Sequence, residues 1–311
     1  MHVSFAVRFG AMALLLAGSV SAVAATTSTE VVHRCEAQSG ALPTVVQTTL
    51  HGVPAILRIP AHIAQAPIIL WHGFGPPASE SAMMEALPLD DVDAVKVYLG
   101  LPLFGARAPV GGMKELARRQ SEDVGLEVFK PVVAGAADEL PGVVAALVGQ
   151  GCMKNGSPVR LVGFSAGGAV VLHALSQGRV TIVAAVLINP STGLSDSIQA
   201  YEHATGKTYG WSTASRELAR QTDAAVHTTD IARHRPALLL LQGASDPVLD
   251  AQAVPALCNR LAPLYGDQAS RLQCQQLAGM SHQWAADPGS LAIVRKAVGA
   301  WFIGMTAAPT Q

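Results

Sequence analysis

Three residues that lie far apart in the chain have the types needed for acyl transfer: Ser165, Asp246 and His282. Ser165 stands in GFSAG, between two glycines, where the apolar run PVRLV ends and a helix-periodic run, AVVLHAL, begins. A serine on a strand-to-helix turn has its hydroxyl lifted clear of the backbone. It acts as a nucleophile when a base takes its proton and a carboxylate holds that base in the right tautomer. In a chain with 29 glycines the five letters carry little alone, so the partners decide. His282, in GMSHQW, is the only histidine after residue 246 and follows the last strand-like run. The carboxylates between serine and histidine are Asp196, Glu202, Glu217, Asp223, Asp230, Asp246, Asp250 and Asp267. Asp246 is preferred, because it follows the buried run LLLLQG by a short turn. Asp250 is the second candidate, with capping of a helix that begins near Ala251 as its alternative role.

Other chemistries find no support. GFSAGG lacks the Gly-Lys-Ser/Thr that would complete a phosphate-binding loop. Cys35, Cys152, Cys258 and Cys274 form no C-x-x-C pair and have only His33 close by, so no metal site is expected. Charged residues make up 14% of the chain and the net charge is −1, with no basic patch for nucleic acid and no basic amphipathic stretch for a membrane surface. The expected partner is a small or uncharged molecule, with no cofactor.

The first 25 residues have one arginine, Arg8, an apolar run from Phe9 to Val20 and small residues ending in Ala22-Val23-Ala24. That is the pattern of a secretory signal peptide. The run is shorter than the roughly 20 apolar residues of a membrane span, and no later apolar stretch reads as long enough. The chain is therefore expected to be exported, to the periplasm or beyond, as one domain over residues 26–311. Four cysteines fit such a chain as two disulfides, with three pairings open. NGSP at Asn155 reads as a turn.

Positioning falls to a series of short runs. TVVQTTL and AILRIP, separated by His51-Gly52-Val53-Pro54, read as a hairpin at a sheet edge. APIILWHG, DAVKVYLGLPL, PVRLVGFS, VAAVLINP, PALLLLQG and RLQCQQLAG follow, several too continuously apolar to have a wet face, with helical patterns between most of them. Alternation of this kind predicts an α/β architecture with a mostly parallel sheet covered on both faces, and ligands then bind beyond the carboxyl ends of the strands. WHGFGPP, GFSAGG, QGASDPV and GMSHQW all sit at such ends.

On those four stretches, over roughly residues 45–304, the chain resembles α/β-hydrolase-fold serine hydrolases, in style closest to secreted carboxylesterases and dienelactone-hydrolase-like proteins. Serine, acid and histidine occur in the order that family uses. The resemblance implies an eight-stranded sheet, a small cap insertion and hydrolysis of carboxylic esters without a cofactor. Ser165 would be the nucleophile, His282 the base, Asp246 its orienting acid, and the backbone N–H groups of Phe74 and Ala166 the oxyanion hole. His72 would hold the loop that carries Phe74. HGFG here departs from HGGG, so a hole adapted to bulky tertiary esters is not implied.

The polar segment at about residues 191–235 is where the fold would insert its cap. Trp71, Phe104 and Trp211 are candidate pocket walls, and Tyr201 and Tyr209 accompany Trp211 in the cap; packing of a small helical cap is the competing role for these cap aromatics. Arg107 faces the same choice between a substrate carboxylate and a solvated loop. A peptidase of the same fold would need subsites for an extended chain, and only Glu202 and Glu217 in the cap offer to hold a free amino terminus. Short acyl esters are therefore the expected substrates. Cys258 is expected to pair with Cys274, since they lie on a helix and on the strand that follows it, which leaves Cys35 for Cys152.

Overall fold

The computed structural model describes Cys35 and residues 42–304; the expected signal segment, 1–25, lies outside the described residues. Strands β1 (Thr44–Leu50) and β2 (Val53–Ile59) form the hairpin, in register from Thr44 opposite Ile59 to Leu50 opposite Val53. The turn is shorter than the sequence implied. His51 and Gly52 both have positive φ, 49° and 81°, which makes a two-residue turn that matches strand twist and lets β2 begin at Val53.

The remaining strands are β3 (Ile68–Trp71), β4 (Lys96–Leu99), β5 (Val159–Phe164), β6 (Ile182–Ile188), β7 (Ala237–Gly243) and β8 (Leu272–Leu277). They form one eight-stranded sheet in the order β1-β2-β4-β3-β5-β6-β7-β8, antiparallel at the β1-β2 and β2-β4 pairs and parallel elsewhere. Every residue of β3, β4, β5 and β7 is buried, in keeping with runs that are apolar apart from Lys96, Arg160 and Gln242. Alternate residues feed two cores. Ile69, Trp71, Val97, Leu99 and Leu161 face one layer of helices, and Ile68, Leu70, Tyr98, Val162 and Phe164 face the other.

On the second face lie α1 (Glu80–Ala86) and α9 (Pro288–Gly304), which contribute Met83, Val294, Val298 and Phe302. The first face is covered by α4 (Ala166–Gln177) and by a long helical stretch from Gly112 to Gly149, made of α2 (Gly112–Asp123), a π-helical segment (Val124–Gly135) and α3 (Ala136–Gly149). Pro131 lies in the π-helical segment. A proline inside a helix removes a donor and crowds the preceding turn, and the wider π register is one way to take it up. This stretch corrects one expectation, since by length and composition it is apolar enough to cross a membrane. Its apolar side supplies Val128, Phe129, Val132, Val133, Leu140, Val143 and Leu147 to the core of the sheet.

The segment expected as a cap is helical: α5 (Leu194–Thr205), α6 (Thr213–Thr222) and α7 (Thr228–Ile231). Within it, α5 and α6 contact each other. α5 and α6 both pack on the π-helical segment, and α6 and α7 also contact α4. Helix α8 (Ala253–Tyr265) leads into β8. The disulfides join Cys35 to Cys152 and Cys258 on α8 to Cys274 on β8, and no cysteine is left free among the described residues.

Candidate active site

Ser165 occupies the turn between β5 and α4 with φ 52° and ψ −115°, a conformation that L-residues rarely adopt and that aims the side chain away from the sheet. The neighbouring glycines make this turn sterically possible. A Cβ on Gly163 would lie 2.2 Å from the Gly167 carbonyl oxygen, and one on Gly167 would lie 2.6 Å from the carbonyl oxygens of Trp71 and His72. The spacing of GFSAG thus follows from how closely α4 must approach β5 and the end of β3.

The chain of hydrogen bonds runs through all three candidates. Ser165 Oγ lies 3.1 Å from His282 Nε2, and His282 Nδ1 lies 2.8 Å from Asp246 Oδ2. Asp246 accepts further bonds from the backbone N–H groups of Val248 and Leu249 on Oδ1 and from Gln242 Nε2 on Oδ2. Burial works to raise the Asp246 pKa, but the hydrogen bond and charge of His282, with the two backbone amides, outweigh it and hold the carboxyl below its ordinary range. A fixed carboxylate on Nδ1 leaves Nε2 free to take a proton from Ser165, which is the requirement for an activated serine. Asp250 is apart from this chain. It is exposed and accepts the Gln252 N–H, a turn contact just ahead of α8.

The candidate oxyanion donors flank Ser165. Ala166 is the first residue of α4 and Phe74 lies in the loop after β3, and among the described residues neither N–H is taken up by another protein group. His72 fixes that loop. Its Nε2 accepts the Leu101 N–H at 3.2 Å, so Nδ1 carries the proton and donates to the Gly73 carbonyl at 2.8 Å; burial lowers the His72 pKa and keeps the ring neutral.

A residue with no place in the sequence reading connects these loops. Asn189, directly after β6, is buried with φ 40°. Its Nδ2 donates to the carbonyls of Ser281 (2.9 Å) and His282 (3.3 Å), its Oδ1 accepts the Gly243 N–H at 2.7 Å, and its own N–H donates to the Leu241 carbonyl. On either side of it, the Ile188 carbonyl accepts the Ser165 N–H and the Ser191 N–H donates to the Ser165 carbonyl. The signal available in sequence was a polar residue ending a wholly apolar strand, VAAVLIN.

A cavity of about 210 Å³ opens beside Ser165 and Ala166, walled by Val128 and Phe129 of the π-helical segment and by Leu194, Ile198 and Tyr201 of α5. Trp71 is not among its walls: it is 1% exposed, on the face of β3 that enters the core. Trp211 is also elsewhere, edge-on to Tyr209 and under the Arg216 guanidinium, while the Tyr209 hydroxyl donates to Asp123. Phe104 stacks on Phe74 with ring centroids 4.6 Å apart and lines a second, adjoining cavity. Arg107 forms a two-pronged ion pair with Glu139 (2.6 and 2.8 Å). Glu202 accepts the Tyr209 N–H and Glu217 bonds Arg220 and Gln221, all outside the 210 Å³ cavity.

No protein-family model and no curated protein matches this chain. Solved structures do. TT1662 from Thermus thermophilus is similar with a TM-score of 0.64 and 19% identity, over 86% of this chain and 99% of its own. The esterase Pf2001 from Pyrococcus furiosus gives 0.56 and 15%, over 85% and 92%. Dipeptidyl peptidase 4 from Porphyromonas gingivalis gives 0.56 and 11%, over 84% of this chain and 35% of the peptidase. With the strand order and the serine turn, this likeness establishes the α/β-hydrolase fold for the chain.

Proposed function

We propose that this protein is an exported serine hydrolase that cleaves carboxylic esters, with short acyl groups favoured, through an acyl-Ser165 intermediate. The observation that carries the reading is the unbroken line Ser165 Oγ, His282, Asp246, with contacts of 3.1 and 2.8 Å. His282 Nε2 takes the Ser165 proton as Oγ attacks the ester carbonyl, and the oxyanion is met by the Phe74 and Ala166 N–H groups. One such donor is worth roughly 3 to 4 kcal/mol of transition-state stabilisation. His282 then protonates the leaving alcohol, and a water activated by the same nitrogen releases the acid. Asp246 holds the ring and stays ionised.

Short acyl preference is supported by the 210 Å³ cavity, which at about 30 Å³ per water-sized group has room for roughly seven non-hydrogen atoms. None of its lining residues is charged, which favours an uncharged acyl chain over a peptide held by its amino terminus. Export is supported by the two disulfides. A fluorophosphonate probe tests the chemistry: labelling is expected at Ser165 and absent in Ser165→Ala, and folded wild-type protein that resists the probe would refute the reading. Comparison of p-nitrophenyl acetate and butyrate with aminoacyl and prolyl amides tests the bond. A higher kcat/KM for an amide than for every short ester would make this a peptidase.

A further inference from the structure

The cavity at Ser165 has a neighbour almost twice its size. This second cavity, about 390 Å³, is walled by Leu103, Phe104, Pro109, Met113 and Leu116 and does not reach Ser165. The two share two residues, Phe74 and Gln120, which therefore stand between them. The Phe74 ring is braced flat, 14° from the plane of Phe104, and its backbone lies in the loop that His72 fixes. The larger space has no charged lining and is open toward solvent, with Met113 exposed at its mouth and Phe74 37% exposed beside the smaller cavity.

Resting on the ester-hydrolase reading, we propose that the second cavity is a distal subsite for the far end of an apolar acyl chain, and that the Phe74 ring is the partition that decides whether a chain enters it. Acyl chains bonded to Ser165 start in the smaller cavity, because Ser165 and Ala166 line it. A hexanoyl chain ends within the roughly seven-atom space, and a decanoyl chain has to cross the partition. Beyond it there is room for about a dozen further non-hydrogen atoms. The braced ring excludes such chains in the wild type, and a small side chain at residue 74 admits them.

The measurement is the ratio of kcat/KM for p-nitrophenyl decanoate to that for p-nitrophenyl hexanoate, which normalises any change in the chemistry at Ser165. Phe74→Ala is expected to raise this ratio at least about 10-fold, the scale on which a few methylenes in an apolar site discriminate. Adding Met113→Trp, which places a larger side chain at the exposed mouth of the distal cavity, is expected to return the ratio toward the wild-type value. A second arm needs no catalysis: by calorimetry on Ser165→Ala protein, the affinity of decanoate relative to hexanoate should rise by a similar factor when Phe74→Ala is added, and fall again with Met113→Trp. Unchanged ratios in both arms, in protein that still reacts with a fluorophosphonate, overturn the subsite and leave the ester reading intact. The predicted affinity changes in a protein that hydrolyses no ester retain the subsite and overturn the reading of function.

Discussion

Replacing Asn189 with glycine separates the placement of the active-site loops from the chemistry. Glycine accepts the φ of 40° found there, so the backbone keeps its course and only the side chain is lost. The Gly243 N–H (2.7 Å) and the Ser281 carbonyl (2.9 Å) then lose their partners. A buried polar group left unpaired costs about 1–3 kcal/mol, so two of them predict a loss of roughly 2–6 kcal/mol and a Tm lower by about 5–20 °C in a domain of this size. The catalytic loss is separate. Once released, the His282 loop moves relative to Ser165, and a shift on the order of 1 Å costs about 100-fold, which falls on kcat because neither Ser165 nor the cavity walls are touched. Steady-state hydrolysis of p-nitrophenyl butyrate, the rate of fluorophosphonate labelling and thermal denaturation read the two effects. A variant that melts early yet keeps wild-type kcat and labelling rate below its Tm would refute the reasoning and leave Asn189 a merely structural residue.

Asp246→Asn should lower kcat by about 10⁴ while Asp250→Asn stays within a few-fold of wild type, since only Asp246 meets His282; the reverse pattern in the same ester assay would move the acid. The depressed Asp246 pKa contributes stability that is full above the unfolded value and disappears as pH falls through the lower folded one. Denaturant titrations below about pH 4 should therefore show a shallower acid loss in Asp246→Asn. Burial lowers the pKa of Lys96, whose ammonium donates to the Val92 carbonyl, to about 8. Between about pH 8 and 10.5 the unfolded chain keeps that proton and the folded one releases it, so stability should rise with pH across this window by no more than about 3 kcal/mol, and Lys96→Met should remove the slope. Replacing Cys258 and Cys274 by alanine should cost about 2–4 kcal/mol in urea unfolding and leave kcat near wild type at 25 °C.

The central strands were legible because burial on both faces favours apolar runs, with Lys96, Arg160 and Gln242 the polar exceptions, and runs such as LLLLQG have few other readings. The three catalytic candidates were legible through their places at strand ends. Trp71 shows what a list of aromatics misses: strand period puts it on the same face as Ile69, toward the core, and that alternation was present in IILW. The place of Trp211 depends on its contacts with Tyr209 and Arg216, which its position in the sequence does not give. The π register itself has no periodic signature beyond a proline in an apolar helix. Asn189 acts through backbone groups of three loops, and backbone groups leave no letters in a sequence.

Both free edges of the sheet are stapled. Cys35, upstream of β1, is tied to Cys152 just beyond α3, and β8, at the opposite edge with its four central residues exposed, is tied to α8. An open sheet comes apart from its margins inward, and the two covalent links sit at the two margins. Thiols stay reduced in a cytosol and pair in an oxidising compartment. A newly made chain on the reducing side would therefore have a formed centre and two loose borders, one of them leading directly into the segment that carries His282. With export as proposed, the last step of assembly would follow the redox state of the compartment the chain reaches, and a protease present before that step would cut at the borders first.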